Sequence, residues 1–183
     1  MKKAILTSFK MLIVMTVVTG IIYPVLIWGY AQIFTADKAN GSLIKKENTV
    51  IGSALIGQKF SKPQYFWSRP SAVDYNAAAS GGSNLGPTSL TLQKKRDEQK
   101  ELYSQHSSEP VPQDLVFSSG SGLDPDISVA AADYQVQRIA TARNVEASTV
   151  RHLVQQLTEK PQFGILGETR VNVLKLNLAL DKL

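Results

Sequence analysis

The 183 residues suffice for one ordinary core, and their net charge of +5 suggests a basic protein. That balance is set at one end, because Lys2, Lys3 and Lys10 precede the first apolar run and all 15 acidic residues follow it. The remainder is close to neutral and has no electrostatic footprint for nucleic acid, and the absence of cysteine excludes disulfides, thiolate metal sites and cysteine nucleophiles.

Residues 11–36 carry no charge and are dominated by aliphatic and aromatic side chains. As a helix they would reach about 39 Å, enough to cross a hydrocarbon core of about 30 Å with some tilt. Gly29-Tyr30-Ala31 offers a small-x-small site at which a signal peptide could be cut. The apolar stretch ahead of it is longer than the roughly 7 to 15 residues of a usual signal core, which favours a retained span. The three unopposed lysines place residues 1–10 in the cytoplasm by the positive-inside rule, and residues 37–183 then lie outside it. Within the span Thr16, Gly20 and Pro24 recur every four residues, a face on which another helix could approach, and Pro24 is also expected to kink the helix.

Thr49 to Ile56 reads as a short β-branched strand with Gly52 as a bulge. Tyr65, Phe66 and Trp67 follow, and adjacent aromatics commonly divide between core and interface. A small-residue loop, Ala77 to Pro87, leads to a charged helix over Thr88 to Tyr103 with Thr88 or Ser89 as its cap. Leu115-Val116-Phe117 reads as a short buried strand running into a second glycine loop, Ser118 to Pro125. Val129, Ala132, Val136, Ile139 and Ala140 recur at helical spacing up to Asn144, with Asp126 or Ser128 as cap. A further helix starts near Ser148 and carries Val150, Leu153, Val154 and Leu157 until Pro161. The tail from Arg170 fits a strand and equally the start of a helix. The fold class expected is α+β, one N-terminal transmembrane helix followed by a single mixed α/β extracytoplasmic domain.

Two loops could cradle phosphate through backbone N–H groups: Ser80, Gly81, Gly82, Ser83 and Asn84, and Ser118, Ser119, Gly120, Ser121, Gly122 and Asp124. Each precedes a predicted helix, but neither carries the lysine of a G-x-x-x-x-G-K-[ST] loop or the spaced glycines of a dinucleotide fold, so tight turns explain them better. A serine hydrolase using Ser121 or Ser83 would need a histidine, and only His106 and His152 exist, with no G-x-S-x-G elbow. Asp124 and Asp126 lack the further oxygens of a calcium site. No DKTG phosphorylation context and no TVGYG filter occurs, so in transport other chains would do the chemistry.

Ordered blocks along the whole chain carry a resemblance: Tyr23-Pro24, Ala39 to Ile44, Gly52 to Gln58, Tyr65-Phe66 with Arg69 to Ala72, Tyr75-Asn76 and Ala79 to Leu85. Ser121 to Asp124, Arg138 to Asn144, Val171 to Val173 and Leu176 to Leu180 continue it. The sequence resembles the KdpC family, one of the component chains of the potassium-transporting Kdp ATPase. Thr169 stands where that family's pattern has proline, and Gly86-Pro87 close a loop of variable length. The resemblance implies a non-catalytic accessory subunit of an inner-membrane complex for ATP-driven potassium import. Its implied partners are a channel-like potassium-binding subunit, a P-type ATPase subunit and a small single-span subunit, within membrane lipid and without nucleic acid. It also implies a catalytic chaperone that raises the pump subunit's affinity for ATP, with no tightly bound cofactor of its own. An extracytoplasmic domain could affect ATP only indirectly, through the span, whereas direct contact would use the two glycine loops. Partner docking is expected at Thr16, Gly20 and Pro24 in the membrane and at Tyr65, Phe66 and Trp67 outside it. A membrane-anchored hydrolase and a binding module released after Ala31 are the alternatives.

Overall fold

The computed structural model describes all residues except 106 and 108 and divides into two compact units, Met1–Leu43 and Ile44–Leu183. In the first, α1 (Lys2–Val17), a π-helical segment (Val18–Ile22) and α2 (Tyr23–Phe34) run on as one apolar rod, Lys2–Phe34, whose most apolar stretch buries nothing within the chain. The helix starts nine residues before the uncharged run, since nothing between Lys2 and Lys10 breaks helical geometry. Pro24 has no N–H to donate and its ring crowds the preceding turn; the wider π segment immediately before it accommodates that loss. A short α3 (Ala36–Ala39) follows, where the Asn40 amide donates to Gln32 Oε1 at 3.2 Å.

A hairpin, β1 (Leu43–Lys46) and β2 (Thr49–Ser53), begins at the last residue of the first unit and otherwise belongs to the second. Its two-residue connection has both Glu47 and Asn48 at positive φ, the twist that matches paired strands. β2 is shorter than expected, and Gly52 is there for close approach: a Cβ would stand 2.1 Å from Gln58 Nε2 and 2.9 Å from Leu174 Cδ2. After an irregular stretch come α4 (Leu90–Ser104), α5 (Gln113–Val116), β3 (Asp126–Ser128), α6 (Val129–Arg143), α7 (Ala147–Gln156), β4 (Thr158–Glu159), β5 (Arg170–Asn172) and α8 (Val173–Leu180). The strands form an antiparallel sheet in the order β3-β5-β4, with Val171 opposite both Ile127 and Thr158. The chain is α+β, a candidate membrane-spanning helix followed by a mixed domain.

Several boundaries follow from single side chains. Ser89 caps α4 and Ser128 caps α6, each accepting from the N–H three residues on. Asn144 in the left-handed conformation ends α6, and Val145 N–H donates back to Ala140 O at 3.1 Å. Two expectations are corrected, and a third that was left open is resolved. Leu115 and Val116 are buried as expected, but in the helical turn α5 rather than a strand: Pro112 sets its entry, and the Asp114 carboxylate accepts from Ser128 N–H at 2.8 Å. α7 is entered from Glu146, with Ser148 donating to its carboxylate at 3.0 Å, and it ends at Gln156 because the chain turns into β4 before reaching Pro161. The tail is both strand and helix, divided at Asn172, whose side chain accepts from Lys175 N–H.

The core lies among α6, α7, α8 and β5, centred on Ile139, Val154, Val171, Leu176 and Leu180. Into it runs the segment 63–67, which has no strand partner but no unsatisfied carbonyl. Arg138 donates to Pro63 O and, at 3.1 Å, to Tyr65 O; Arg143 donates to Gln64 O at 2.8 Å. Asn177 accepts from Phe66 N–H at 2.8 Å and donates to Phe66 O at 3.0 Å. Gln135 does the same for Trp67, at 2.8 and 3.2 Å. Phe66 is thereby completely buried, worth about 2 to 3 kcal/mol of apolar transfer.

Asn177→Ala leaves both backbone groups of Phe66 unpaired in the core and is expected to destabilise the domain by about 2 to 4 kcal/mol. A denaturant titration of the full chain in detergent, following domain fluorescence, measures it; an unchanged midpoint would show that the Phe66 pairing contributes little.

Candidate functional site

The two glycine loops meet. Gly81 N–H donates to Ser121 O at 2.8 Å and Ser80 Oγ to the same carbonyl at 3.1 Å. A Cβ on Gly82 would stand 3.0 Å from Gly120 O, and one on Gly122 would stand 2.7 Å from Val73 Cγ2 and 2.8 Å from Gly81 O. Gly122 also has φ of +68°, so both the space and the backbone there require glycine. Gly81, Gly82 and Ser83 are half-buried, Ser119 and Gly122 are buried, and Ser80, Asn84, Gly120 and Ser121 are exposed around the rim. Ser118 and Asp124 are half-buried.

Residues 68–75 brace this junction. Ser71 Oγ donates to Gly122 O at 2.6 Å and accepts from Val73 and Tyr75 N–H, while Tyr75 Oη donates to Arg69 O at 2.6 Å. Arg69 Nη1 pairs with Asp124 Oδ2 at 2.9 Å, and Asp124 Oδ1 accepts from Asp126 N–H at 3.0 Å. Ser119 N–H donates to Pro70 O and Gly122 N–H to Ser119 O. The N–H groups of Gly81, Ser119 and Gly122 are thus bonded to protein carbonyls rather than arrayed toward solvent. The second loop also leads into β3, with α6 starting only after it, so it does not sit on a helix N-terminus.

Two clefts flank the junction. An aromatic one of about 370 Å³ is lined by Lys59, Phe60, Trp67, Tyr75, Leu102 and Tyr103, among others. Burial, with Asp74's charge second, pushes the Tyr75 hydroxyl up to about 12, and burial raises Tyr103 further. A polar cleft of about 470 Å³ holds Arg69, Asp114, Asp124, Asp126, Glu168 and Arg170. Its ion pairs, Arg69 with Asp124 and Arg170 with Asp126 at 3.0 Å, tie loop to loop and strand to strand. Burial raises the Asp126 carboxyl, against the lowering effects of the Asn172 amide and the Arg170 charge. Asp126 is therefore a strand-pairing residue and the α6 cap is Ser128. Among the described residues no group of three or more His, Asp or Glu side chains is arranged to hold a metal ion.

The remaining candidates lie apart. His152 is on α7, its Nε2 2.9 Å from Gln156 Nε2, and Ser121 Oγ accepts from Leu123 N–H; His106 lies outside the described residues. Thr16, Gly20 and Pro24 are exposed along the apolar rod, and a Cβ on Gly20 would meet only Thr16 Cγ2, at 4.0 Å. The aromatic triplet divides: Phe66 is core, while Tyr65 and Trp67 are half-buried with Arg143 and Arg138 over their rings. Sequence reasoning about the loops did not single out Ser71 and Tyr75, the two hydroxyls that hold them. The signal available was their position in Arg69-Pro70-Ser71 and Tyr75-Asn76.

A family model described as "KdpC: K+-transporting ATPase, c chain" matches residues 5–182. A potassium-transporting ATPase KdpC subunit of Methylococcus capsulatus is 54% identical over 182 residues, covering 96% of this chain and 96% of that protein. One from Paraburkholderia phytofirmans is 53% identical over 93% of this chain and 92% of its own, and one from Burkholderia mallei 54% identical over 92% and 91%.

Gly122→Ala is expected to destabilise the domain by about 2 to 3 kcal/mol, since Val73 or the Gly81 carbonyl must give way. Because the folded state holds Tyr75 neutral up to about 12, its contribution is complete below the ordinary tyrosine value near 10 and is lost as pH rises through about 12. Tyr75→Phe should reduce stability at neutral pH by about 1 kcal/mol, through the lost bond to Arg69 O, and flatten that alkaline fall. Melting temperatures of both proteins between about pH 8 and about pH 12, a span either side of the ordinary tyrosine value, decide it.

Proposed function

Since the chain belongs to the KdpC family, the c chain of potassium-transporting ATPases, we propose that it is a non-catalytic accessory subunit, assembled in the membrane with the chains that bind potassium and hydrolyse ATP. The observation that carries this reading is the match over residues 5–182, headed by one helix long and apolar enough to span. Residues 1–10 are cytoplasmic, residues 11–36 cross, and residues 37–183 form the extracytoplasmic domain. The partners are a channel-like potassium-binding subunit, a P-type ATPase subunit and a small single-span subunit. The face bearing Thr16, Gly20 and Pro24 packs against a partner helix, and Tyr65 and Trp67 contribute outside; Phe66 supports them from within the core.

The chain raises the pump subunit's affinity for ATP indirectly, through contacts that favour one state of the complex, and holds no nucleotide tightly itself. The geometry of the glycine loops supports the indirect route: three of the backbone donors a phosphate could use, the N–H groups of Gly81, Ser119 and Gly122, already bond the Ser121, Pro70 and Ser119 carbonyls.

The chain lacks cysteine, and Ser80 and Ser121 are exposed, so Ser80→Cys and Ser121→Cys report topology cleanly. Both are expected to react with a membrane-impermeant maleimide in cells with a permeabilised outer membrane and an intact inner one. Protection until the inner membrane is lysed would place the loops with cytoplasmic nucleotide and overturn the indirect route. The KM for ATP of the purified complex should rise when this chain is omitted.

A further inference from the structure

Between β4 and β5 the chain leaves the core and returns through a tight turn that presents apolar side chains to solvent. Phe163 is 89% exposed, Ile165 82% and Leu166 57%. Nothing about the turn is loose: Gln162 and Leu166 exchange two backbone hydrogen bonds, each 2.9 Å, and Gly164 N–H donates to Pro161 O at 3.0 Å. Phe163 is held in the left-handed conformation at φ 56°, beside Gly164 at 77°. A side chain with a Cβ is disfavoured there, and a phenyl ring in water gains nothing from it. Such strain and such exposure together are unfavourable for the isolated domain, which is what a surface built for a partner looks like.

We propose that Phe163, Ile165 and Leu166 form a preorganised anchor that seats in an uncharged, apolar crevice on another subunit of the same ATPase. The proposal rests on the subunit reading above. Three side chains cover far less than the roughly 800 Å² per partner that a free-standing interface needs, so a second copy of this chain would not be held by the tip alone. A partner sharing the bilayer with the chain's own span needs no more, because the second contact is then effectively intramolecular. The apolar triad is bracketed by exposed Lys160 and Glu168, of opposite sign, so the tip offers no net charge to steer a charged surface and the crevice is an uncharged one. The rigid turn means little ordering cost on docking, and a single aromatic can then act as the anchor.

The test labels Ile165→Cys with an environment-sensitive fluorophore and compares the full chain alone in lipid nanodiscs with the chain in the purified complex. A blue shift seen only in the complex supports the anchor. A complex that forms with the label still in water overturns it and leaves the subunit reading standing. A blue shift already present in the chain alone assigns the tip to lipid and also overturns it. Failure of the unmodified chain to co-purify with any other subunit overturns the subunit reading, and the anchor with it. Independently, Phe163→Gly is expected to keep or raise the melting temperature, because glycine suits this backbone, while weakening retention by the complex roughly tenfold or more. A lowered melting temperature with unchanged retention would make the ring a structural element and overturn the anchor.

Discussion

The domain depends on how residues 63–67 are made burial-competent. Five consecutive carbonyls run from exposed Pro63 through buried Phe66 to half-buried Trp67 without a neighbouring strand, and one left unpaired in the core would cost on the order of 1 to 3 kcal/mol. Side chains replace the missing strand: Arg138, Arg143 and Gln135 from α6, and Asn177 from α8. Because one guanidinium serves two carbonyls and also donates to Gln135 Oε1 at 2.7 Å, α6 and the segment cannot shift independently. Arg138 remains protonated at neutral pH although burial lowers it to about 10, and the face of Trp67, 3.9 Å away, partly replaces its lost water.

From that clamp the chain continues directly into Arg69, Pro70 and Ser71, so the anchored segment also fixes what holds the glycine loops. The hydrogen bonds of Ser71 to Gly122 and of Ser119 to Pro70 extend the same logic outward, with side chains and loop backbone taking the place of a sheet. The small three-stranded sheet plays a supporting part, laced on one face by Asp126, Arg170, Glu159 and Lys175. Those groups are partly exposed, so their pairing specifies register more than it stabilises. The Lys175 amine, with Arg170 beside it, holds the Glu159 carboxyl below its ordinary range.

The apolar rod, long and apolar enough to cross a membrane, is read by a different rule. Its side chains have no core to enter, and its sequence is legible because a bilayer asks only for length and uniform apolarity. Pro24 was legible as a disturbance, but its expression as a π segment comes from how the preceding turn redistributes its hydrogen bonds.

By itself the sequence determined the apolar rod, the α+β class, the helices that carry Val136 and Val154, and the end of α6 at Asn144, and it narrowed the α4 cap to Thr88 or Ser89. Each of these rests on local physics, whether periodicity, a short polar side chain at a helix end, or a run without charge. It also carried the family, because block order along the chain needs no folding to be read. Only the tertiary structure decided that Leu115 and Val116 lie in a helical turn, that β1 and β3 exist, and that Phe66 is core while its neighbours reach the surface. It likewise decided that the two glycine loops close on each other. Those outcomes hang on partners far along the chain, Asp114 with Ser128, Phe66 with Asn177 and Gly81 with Ser121. Contacts of that separation leave no periodic mark in the sequence.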